Sequence, residues 1–195
     1  MALSFVRWSF WQRTAARIER TLSRWSQRPC RCFFSIILAS LALRLALLAI
    51  QPVPIPLFHD EFSFLLGADT FVRERLTNPQ PPIPVALETI HVNMWPTYQS
   101  MYMPGTALLL TIGKVLGSPW IAVLLITAIF CGAIYWMVSA WLPRPYALVA
   151  GLIALAITGN LNWWFDNYFC IALASLGGTL VLGSLPRIAA TRSWE

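Results

Sequence analysis

Residues 33–50 read FFSIILASLALRLALLAI, an apolar run whose one charged side chain is Arg44. A helix of about 18 residues with so little charge is long enough to cross the hydrocarbon core of a membrane. We therefore predict that this run is a transmembrane helix and that the chain is an all-α membrane protein.

The composition of the whole chain also indicates a membrane protein. Of the 195 residues, 57% are hydrophobic and 11% are charged, and the mean hydropathy is +0.62. In an average soluble domain, roughly a quarter of the residues are charged. Three further apolar runs cover residues 120–142, 146–161 and 169–185. Together with the first run, they predict about four transmembrane helices.

A shorter apolar run covers residues 106–117 and contains Lys114. At about a dozen residues it is shorter than a membrane-spanning helix, so we predict a re-entrant or interfacial helix. The predicted organisation is a basic amphipathic segment (1–32), a first span (33–50), an external loop with juxtamembrane helices (51–118), three spans (119–187) and a cytoplasmic tail (188–195).

The distribution of charge predicts the orientation. The net charge is +6, and seven arginines precede residue 33 with Glu19 as the only acid among them. Basic residues favour the cytoplasmic side, so we expect a cytoplasmic N-terminus and a periplasmic or extracellular loop. Arg144, Arg187 and Arg192 then lie on the cytoplasmic side as well, provided that residues 106–117 do not cross. This clustering argues against a nucleic-acid partner.

The basic segment has the periodicity of an amphipathic helix. Between residues 5 and 28, apolar side chains recur at steps of three and four, and arginines recur on the other face. Such a helix lies in the membrane interface with its arginines among anionic head groups, so membrane lipids are its expected partners. A transit peptide has a similar composition and is the alternative.

Residues 51–103, within the external loop, form the one long polar segment. Their apolar spacing predicts a surface helix from Asp60 to Leu76, ended by the proline-rich run that follows. A carboxylate at a helix start is stabilised by the helix dipole, so one interpretation is that Asp60 simply caps this helix. The functional interpretation is a general base that takes a proton from an attacking hydroxyl or amine.

Two other groups of residues have more than one interpretation. Arg44 either faces the bundle interior, as the partner of a phosphate or carboxylate, or snorkels toward the membrane surface. Glu88, His91 and His59 have no recognised metal-ligand spacing, and Cys30-x-Cys32 has no second pair. We predict no metal site and no cofactor, with a bound divalent ion left open.

Several segments, in this order along the chain, resemble the GT-C class of polyprenyl-phosphate-sugar-dependent glycosyltransferases. They are HDEFSFLL (59–66), ADTF (68–71), RLTNP (75–79), ETIHVN (88–93), YMPG (102–105), LGG (176–178) and LGSLPR (182–187). The resemblance covers residues 59–187 and is to a bacterial branch of the protein mannosyltransferase or aminoarabinose transferase type.

This resemblance implies many membrane helices, an active site at the external face of a bacterial inner membrane, and a donor sugar on a polyprenyl phosphate. Asp60 matches the general base of that class, with Glu61 in support. Glu88, His91 and Tyr102 lie in the similar segments and are implied to bind substrate.

The chain also departs from the class. Met101 and Met103 stand where lysine and proline are common, which removes a phosphate-binding cation. Asp166 stands where related sequences often carry asparagine, and with Arg44 it is a further candidate for substrate binding. Enzymes of the class have about twice as many spans, so the chain resembles the N-terminal part of one. A second chain that completes the enzyme is an expected partner, and an inactive truncated fragment is an alternative.

Two functions from other classes compete with glycosyl transfer. A non-enzymatic membrane subunit or scaffold would use the loop to bind a partner. A transporter is less favoured, because the four predicted spans show no internal repeat. The aromatic residues at the predicted membrane edges favour an aromatic belt over a sugar-stacking platform. They are Trp95, Tyr98, Trp163, Trp164 and Tyr168.

Overall fold

The computed structural model describes residues 16–17, 19–158 and 162–191, and these are mostly helical. The helices are α1 (Pro29–Ala46), α2 (His59–Val72), α3 (Pro104–Val115), α4 (Pro119–Val138), α5 (Arg144–Ile157) and α6 (Ile171–Thr191). Short 3₁₀ turns cover Leu47–Ala49, Pro84–Leu87 and Trp163–Phe165. The strands β1 (Val92–Asn93) and β2 (Gln99–Ser100) pair antiparallel.

Three of these helices are long and apolar enough to cross a membrane: Pro29–Ala49 (α1 with its 3₁₀ turn), α4 and α6. This finding supports the predicted helical membrane class. The fourth predicted span corresponds to α5, which has 14 residues. At 1.5 Å per residue α5 is roughly 21 Å long, shorter than the hydrocarbon core of about 30 Å. Four complete spans therefore stay a prediction.

The helices α1, α4, α5 and α6 pack side by side, with α1 and α4 antiparallel. Near the start of α1, Ile36 packs with Tyr135 of α4 and Ala147 of α5. Gly151 permits this packing, because a Cβ atom there would lie 2.6 Å from the Ile36 side chain. We call this end of the bundle the basic end, because Arg28 and Arg31 flank the start of α1 there.

At the opposite end, which we call the loop end, α2 and α3 cover the bundle. Phe64 and Ala68 of α2 are buried with Leu110 of α3 and Trp120 of α4. The two short helices approach closely at Gly67, where a Cβ atom would lie 2.7 Å from the Cβ of Ala107. The predicted short helix at residues 106–117 is thus confirmed as α3, which begins slightly earlier at Pro104.

Proline marks where several helices begin. Pro29, Pro104 and Pro119 each occupy the first turn of a helix, where the missing N–H costs no hydrogen bond and the fixed φ suits the helix. Ser118 caps α4 by accepting a hydrogen bond from the Trp120 backbone N–H at 3.3 Å. These local signals set where the helices begin.

The surface helix α2 ends four residues before the predicted end at Leu76. Glu74 has φ = 57°, in the left-handed region. The N–H groups of Glu74 and Arg75 bond to the carbonyls of Phe71 and Thr70 at 2.9 and 3.1 Å. This pattern is a Schellman motif, which usually has glycine at the left-handed position. With glutamate there, the sequence did not signal the end.

Half of the predicted interfacial helix at residues 5–28 lies outside the described residues. Residues 19–25 are helical and precede the turn that leads into α1. The cytoplasmic tail predicted from residue 188 begins within α6, which continues to Thr191.

Candidate functional site

A chain of three polar side chains at the loop end links two segments of the polar loop. Asp60 Oδ1 lies 2.7 Å from His91 Nε2, and the hydroxyl of Tyr102 lies 2.9 Å from His91 Nδ1. Asp60 lies in the first turn of α2, His91 precedes β1, and Tyr102 follows β2. The structure therefore brings together three residues that were singled out from the sequence.

The neutral His91 ring can satisfy both of these contacts. If the neutral ring carries its proton on Nε2, it donates to Asp60 and accepts from the Tyr102 hydroxyl at Nδ1. Burial and, after it, the Asp60 carboxylate raise the pKa of Tyr102 above the usual tyrosine value. The hydroxyl therefore keeps its proton and can donate. The side chain of Asp60 is 37% exposed, so a ligand can reach its carboxylate.

Side chains of α2 hold His91 and Tyr102 in place. The hydroxyl of Ser63, on α2, donates to the His91 carbonyl and lies 2.8 Å from the Ser100 hydroxyl. The Tyr102 ring stacks on Phe64 with centroids 4.5 Å apart. His91 and Tyr102 are thus both attached to α2, so the distance between their side chains does not depend on loop residues alone.

A cavity of about 340 Å³ lies between α2, α3 and the hairpin, and of the residues Asp60, His91 and Tyr102 it is Tyr102 that reaches it. Tyr102 forms part of its wall, and the polar residues Thr70, Asn93, Gln99 and Ser100 line it together with apolar side chains. Small-molecule sites commonly have volumes of about 300–1,000 Å³ and combine an apolar lining with a few polar groups. The cavity is therefore large enough for a small polar ligand.

Glu61 has a different environment from Asp60. It is 1% exposed, and one carboxylate oxygen accepts the N–H groups of Leu57 and Phe58 at 2.9 and 3.2 Å. The other oxygen accepts the N–H of Tyr168 at 3.2 Å. Glu61 thus accepts the backbone N–H groups at the start of α2, which is the capping role considered for Asp60. Its bond to Tyr168 also joins the start of α2 to the turn before α6.

Arg44 and Asp166 meet inside the loop end of the bundle. The guanidinium donates to both carboxylate oxygens, at 3.1 and 2.8 Å, and Arg44 is 1% exposed. Arg44 therefore faces the interior, which decides against the snorkelling interpretation. Two of its other N–H groups donate to the Gln51 and Pro52 carbonyls at 2.9 and 3.3 Å.

Two further donors complete the environment of Asp166. The indole N–H of Trp120 donates at 3.0 Å and the amide of Gln51 at 3.3 Å, while the Arg44 guanidinium lies 5.0 Å from the Trp120 ring centroid. Asp166 is only 8% exposed. The pair predicted to bind substrate is thus satisfied by intramolecular partners and ties α1, α4 and the turn before α6 together.

The remaining predicted site residue lies apart. Glu88 is exposed after the 3₁₀ turn at Pro84–Leu87. Among the described residues, no three histidine, cysteine or acidic side chains group as metal ligands. The four cysteines are free thiols, Cys32 and Cys131 being buried and the other two exposed.

An exposed cluster of aromatic rings borders the loop end. Phe58 contacts Trp163 at 5.3 Å between ring centroids, and Phe169 lies about 6 Å from Phe58, Trp163 and Trp164. Trp164 is 55% exposed. The position of these rings beside the bundle fits an aromatic belt. The cluster is also close to Asp60 in the sequence, because Phe58 precedes Asp60 by two residues.

Sequence reasoning missed the residues that hold the site residues in place. Ser63 and Ser100 were not singled out, because serines in a polar loop have many neutral interpretations. Trp120 was read only as the start of a span, although tryptophan at a membrane edge usually directs its N–H toward a polar partner.

Comparisons with protein-family models, with curated proteins and with solved structures find no significant match to this chain.

Proposed function

We propose that the chain is a membrane glycosyltransferase, or the N-terminal part of one, that transfers a sugar from a polyprenyl-phosphate donor to an acceptor. The observation that carries the proposal is the hydrogen-bonded chain Asp60–His91–Tyr102, whose Tyr102 also lines a cavity with polar groups. The order of the similar segments along residues 59–187 supports the same class.

In the proposed reaction Asp60 is the general base. The acceptor hydroxyl or amine attacks the anomeric carbon of the donor, and its proton passes to the Asp60 carboxylate. The bond between that carbon and the phosphate oxygen breaks, and the polyprenyl phosphate leaves with the electron pair. Positioned general bases contribute about 10²- to 10⁴-fold to a rate.

His91 and Tyr102 serve as positioning residues in this proposal. The His91 N–H fixes one oxygen of Asp60 at 2.7 Å, which leaves the other oxygen for the acceptor. Tyr102 fixes the ring of His91 and also forms a wall of the cavity of about 340 Å³. We assign this cavity to the sugar or to the acceptor. The active site is proposed to face the periplasm or the cell exterior.

Arg44 and Asp166 support this site without touching substrate. Their ion pair holds the end of α1 against the turn before α6, and the same turn is held by Glu61 at the start of α2. The position of Asp60 relative to the bundle therefore depends on two buried carboxylates.

The test is sugar transfer by the full chain in vesicles, with polyprenyl-phosphate sugars as donors. We expect Asp60→Asn to lower transfer by about 10²- to 10⁴-fold. Asp69→Asn is the matched control, because Asp69 lies on the same helix, is half exposed and pairs with Lys114. Equal transfer by the wild type and Asp60→Asn would remove Asp60 from catalysis. A wild-type chain that neither transfers sugar nor binds the donor would contradict the proposal.

A scaffold is the second candidate, and one observation favours it. The loop exposes large apolar side chains, among them Leu76 at 85%, Val85 at 80% and Ile90 at 78%. Exposed apolar surface of this kind is typical of protein or membrane contacts. Co-purification of a second chain that is lost when these residues become serine, without donor binding, would favour the scaffold.

A further inference from the structure

A cavity of about 700 Å³ opens at the basic end of the bundle, opposite the candidate active site. It lies between the helical residues 19–25, α1 and α5. Ile36, Ala39 and Leu148 form part of its apolar floor, and Arg24, Arg28 and Arg31 also line it. The cavity thus joins an apolar floor to three cationic side chains.

The positive charge of these arginines is not neutralised within the part of the chain that the structure describes. The ion pairs found there are Arg44–Asp166 and Lys114–Asp69, and neither involves the cavity. The contact of His91 with Asp60 lies at the loop end. In the sequence, Glu19 is the only acid before Asp60. An anion is therefore the complementary ligand.

The apolar floor adds a second requirement. A small hydrated anion would not gain from contact with it, whereas an amphiphile would bury apolar surface there. Guanidinium groups bind phosphate oxygens with paired hydrogen bonds. Charge and shape together thus require a ligand with a phosphate and an acyl chain.

We propose that this cavity is a discrete binding site for one acidic phospholipid. Its phosphate head group lies among Arg24, Arg28 and Arg31, and the upper part of an acyl chain lies along Ile36 and Leu148. The rest of the lipid continues into the surrounding bilayer. This goes beyond general attraction of a basic segment to a membrane, because it predicts a saturable site with one lipid per chain.

The site is independent of the proposed glycosyl transfer. It lies at the other end of α1 from Arg44, and its ligand needs no sugar. The bound lipid would hold residues 19–25 against α1 and α5, since all three contribute to the lining.

The experiment is native mass spectrometry of the full chain, titrated in neutral detergent with phosphatidylglycerol, phosphatidylcholine or inorganic phosphate. We expect one phosphatidylglycerol per chain and no comparable retention of phosphatidylcholine. Arg28→Gln/Arg31→Gln should weaken the binding roughly thirtyfold, about fivefold for each arginine removed near a membrane surface. Ala39→Trp should weaken it by filling the cavity without a change of charge.

The matched control is Arg17→Gln/Arg20→Gln, which removes the same charge from residues that do not line the cavity. It should change the affinity less than the first pair. Equal losses in the two double variants would show diffuse attraction to the basic end and overturn the proposal. Equal retention of phosphatidylcholine would show an apolar groove without head-group selectivity, and displacement of the lipid by millimolar phosphate would show a simple anion site. Either result also overturns it.

Discussion

Arg44 and Asp166, 122 residues apart in the chain, form a two-pronged ion pair with distances of 2.8 and 3.1 Å. The pair joins the end of α1 to the turn before α6, and Trp120 adds α4 to the same contact. Charges buried in a protein are tolerated when they are paired and hydrogen-bonded. The pair therefore fixes the loop end of the bundle, which is covered by the helix α2 that carries Asp60 and Glu61.

Breaking this pair should destabilise the fold strongly. We expect Asp166→Asn or Arg44→Gln to lower the free energy of unfolding by about 3–5 kcal/mol, because each leaves an uncompensated buried charge. Arg44→Met/Asp166→Leu should recover most of the loss, because it removes both charges and fills the space. Unfolding in detergent mixtures, followed by circular dichroism, measures these differences.

The exposed pair formed by Lys114 and Asp69 provides the control. Its side chains are 24% and 51% exposed, and surface pairs contribute about 0–1 kcal/mol. Lys114→Gln should thus have a small effect. Equal destabilisation by Lys114→Gln and Arg44→Gln would contradict a special role for the buried pair.

Substitutions of the two adjacent acids of α2, Asp60 and Glu61, should have different effects: one should lower transfer activity and the other should lower stability. Glu61→Gln replaces an acceptor of three backbone N–H groups, and a buried group left unsatisfied costs about 1–3 kcal/mol. Asp60→Asn should leave stability nearly unchanged and abolish most of the transfer activity. Parallel unfolding curves and transfer assays of both variants test this. The reverse pattern, a stable Glu61→Gln and an unstable Asp60→Asn, would exchange the two roles.

The sequence predicted the positions of the main helices, but it did not predict the contacts between residues that are far apart in the chain. The apolar runs predicted α1, α4 and α6, because a spanning helix needs a continuous apolar stretch that is visible in the sequence. The start of α1 was placed at Phe33, where the apolar run begins, although Pro29 carries the usual signal of a first helical turn. The end of α2 was missed because its left-handed residue is Glu74 rather than glycine.

The candidate site shows the same division. Asp60 and Glu61 were found as adjacent acids, but nothing in the local sequence distinguished the exposed acid from the buried one that caps α2. Glu61 is the third residue of α2, and the preceding cap residue is Phe58, so the usual serine or threonine of a capping box is absent. The contact of Asp60 with His91 arises from the packing of the hairpin on α2, which no periodicity encodes.

The Tyr102 hydroxyl should matter for rate more than for folding. Tyr102→Phe keeps the ring stacked on Phe64 and removes the hydrogen bond to His91. We expect a fall in kcat of roughly tenfold, the loss of about one hydrogen bond of positioning, with KM changed less. Tyr146→Phe, at the exposed start of α5, is the control and should leave kcat unchanged. A Tyr102→Phe variant with unaltered kcat and KM would remove Tyr102 from the site.

Stability at alkaline pH should report on Tyr168, which lies in the turn between α5 and α6. Its hydroxyl donates to the Pro54 carbonyl at 3.0 Å. Burial raises the pKa of Tyr168, and the charges of Glu61 and then Asp166 raise it further. In the unfolded chain the hydroxyl ionises near pH 10, at about the ordinary tyrosine value.

Because the folded pKa is the higher one, the unfolded state loses its proton first as the pH rises. The stabilisation from the neutral hydroxyl is complete below about pH 10 and is lost as the pH rises through the folded pKa. Tyr168→Phe should be less stable than the wild type by about 1 kcal/mol at neutral pH, through the lost hydrogen bond. The difference in unfolding free energy should then narrow above about pH 10. Unfolding curves at a series of pH values measure it, with Tyr146→Phe as the control, and a difference that widens with pH would contradict the buried neutral Tyr168.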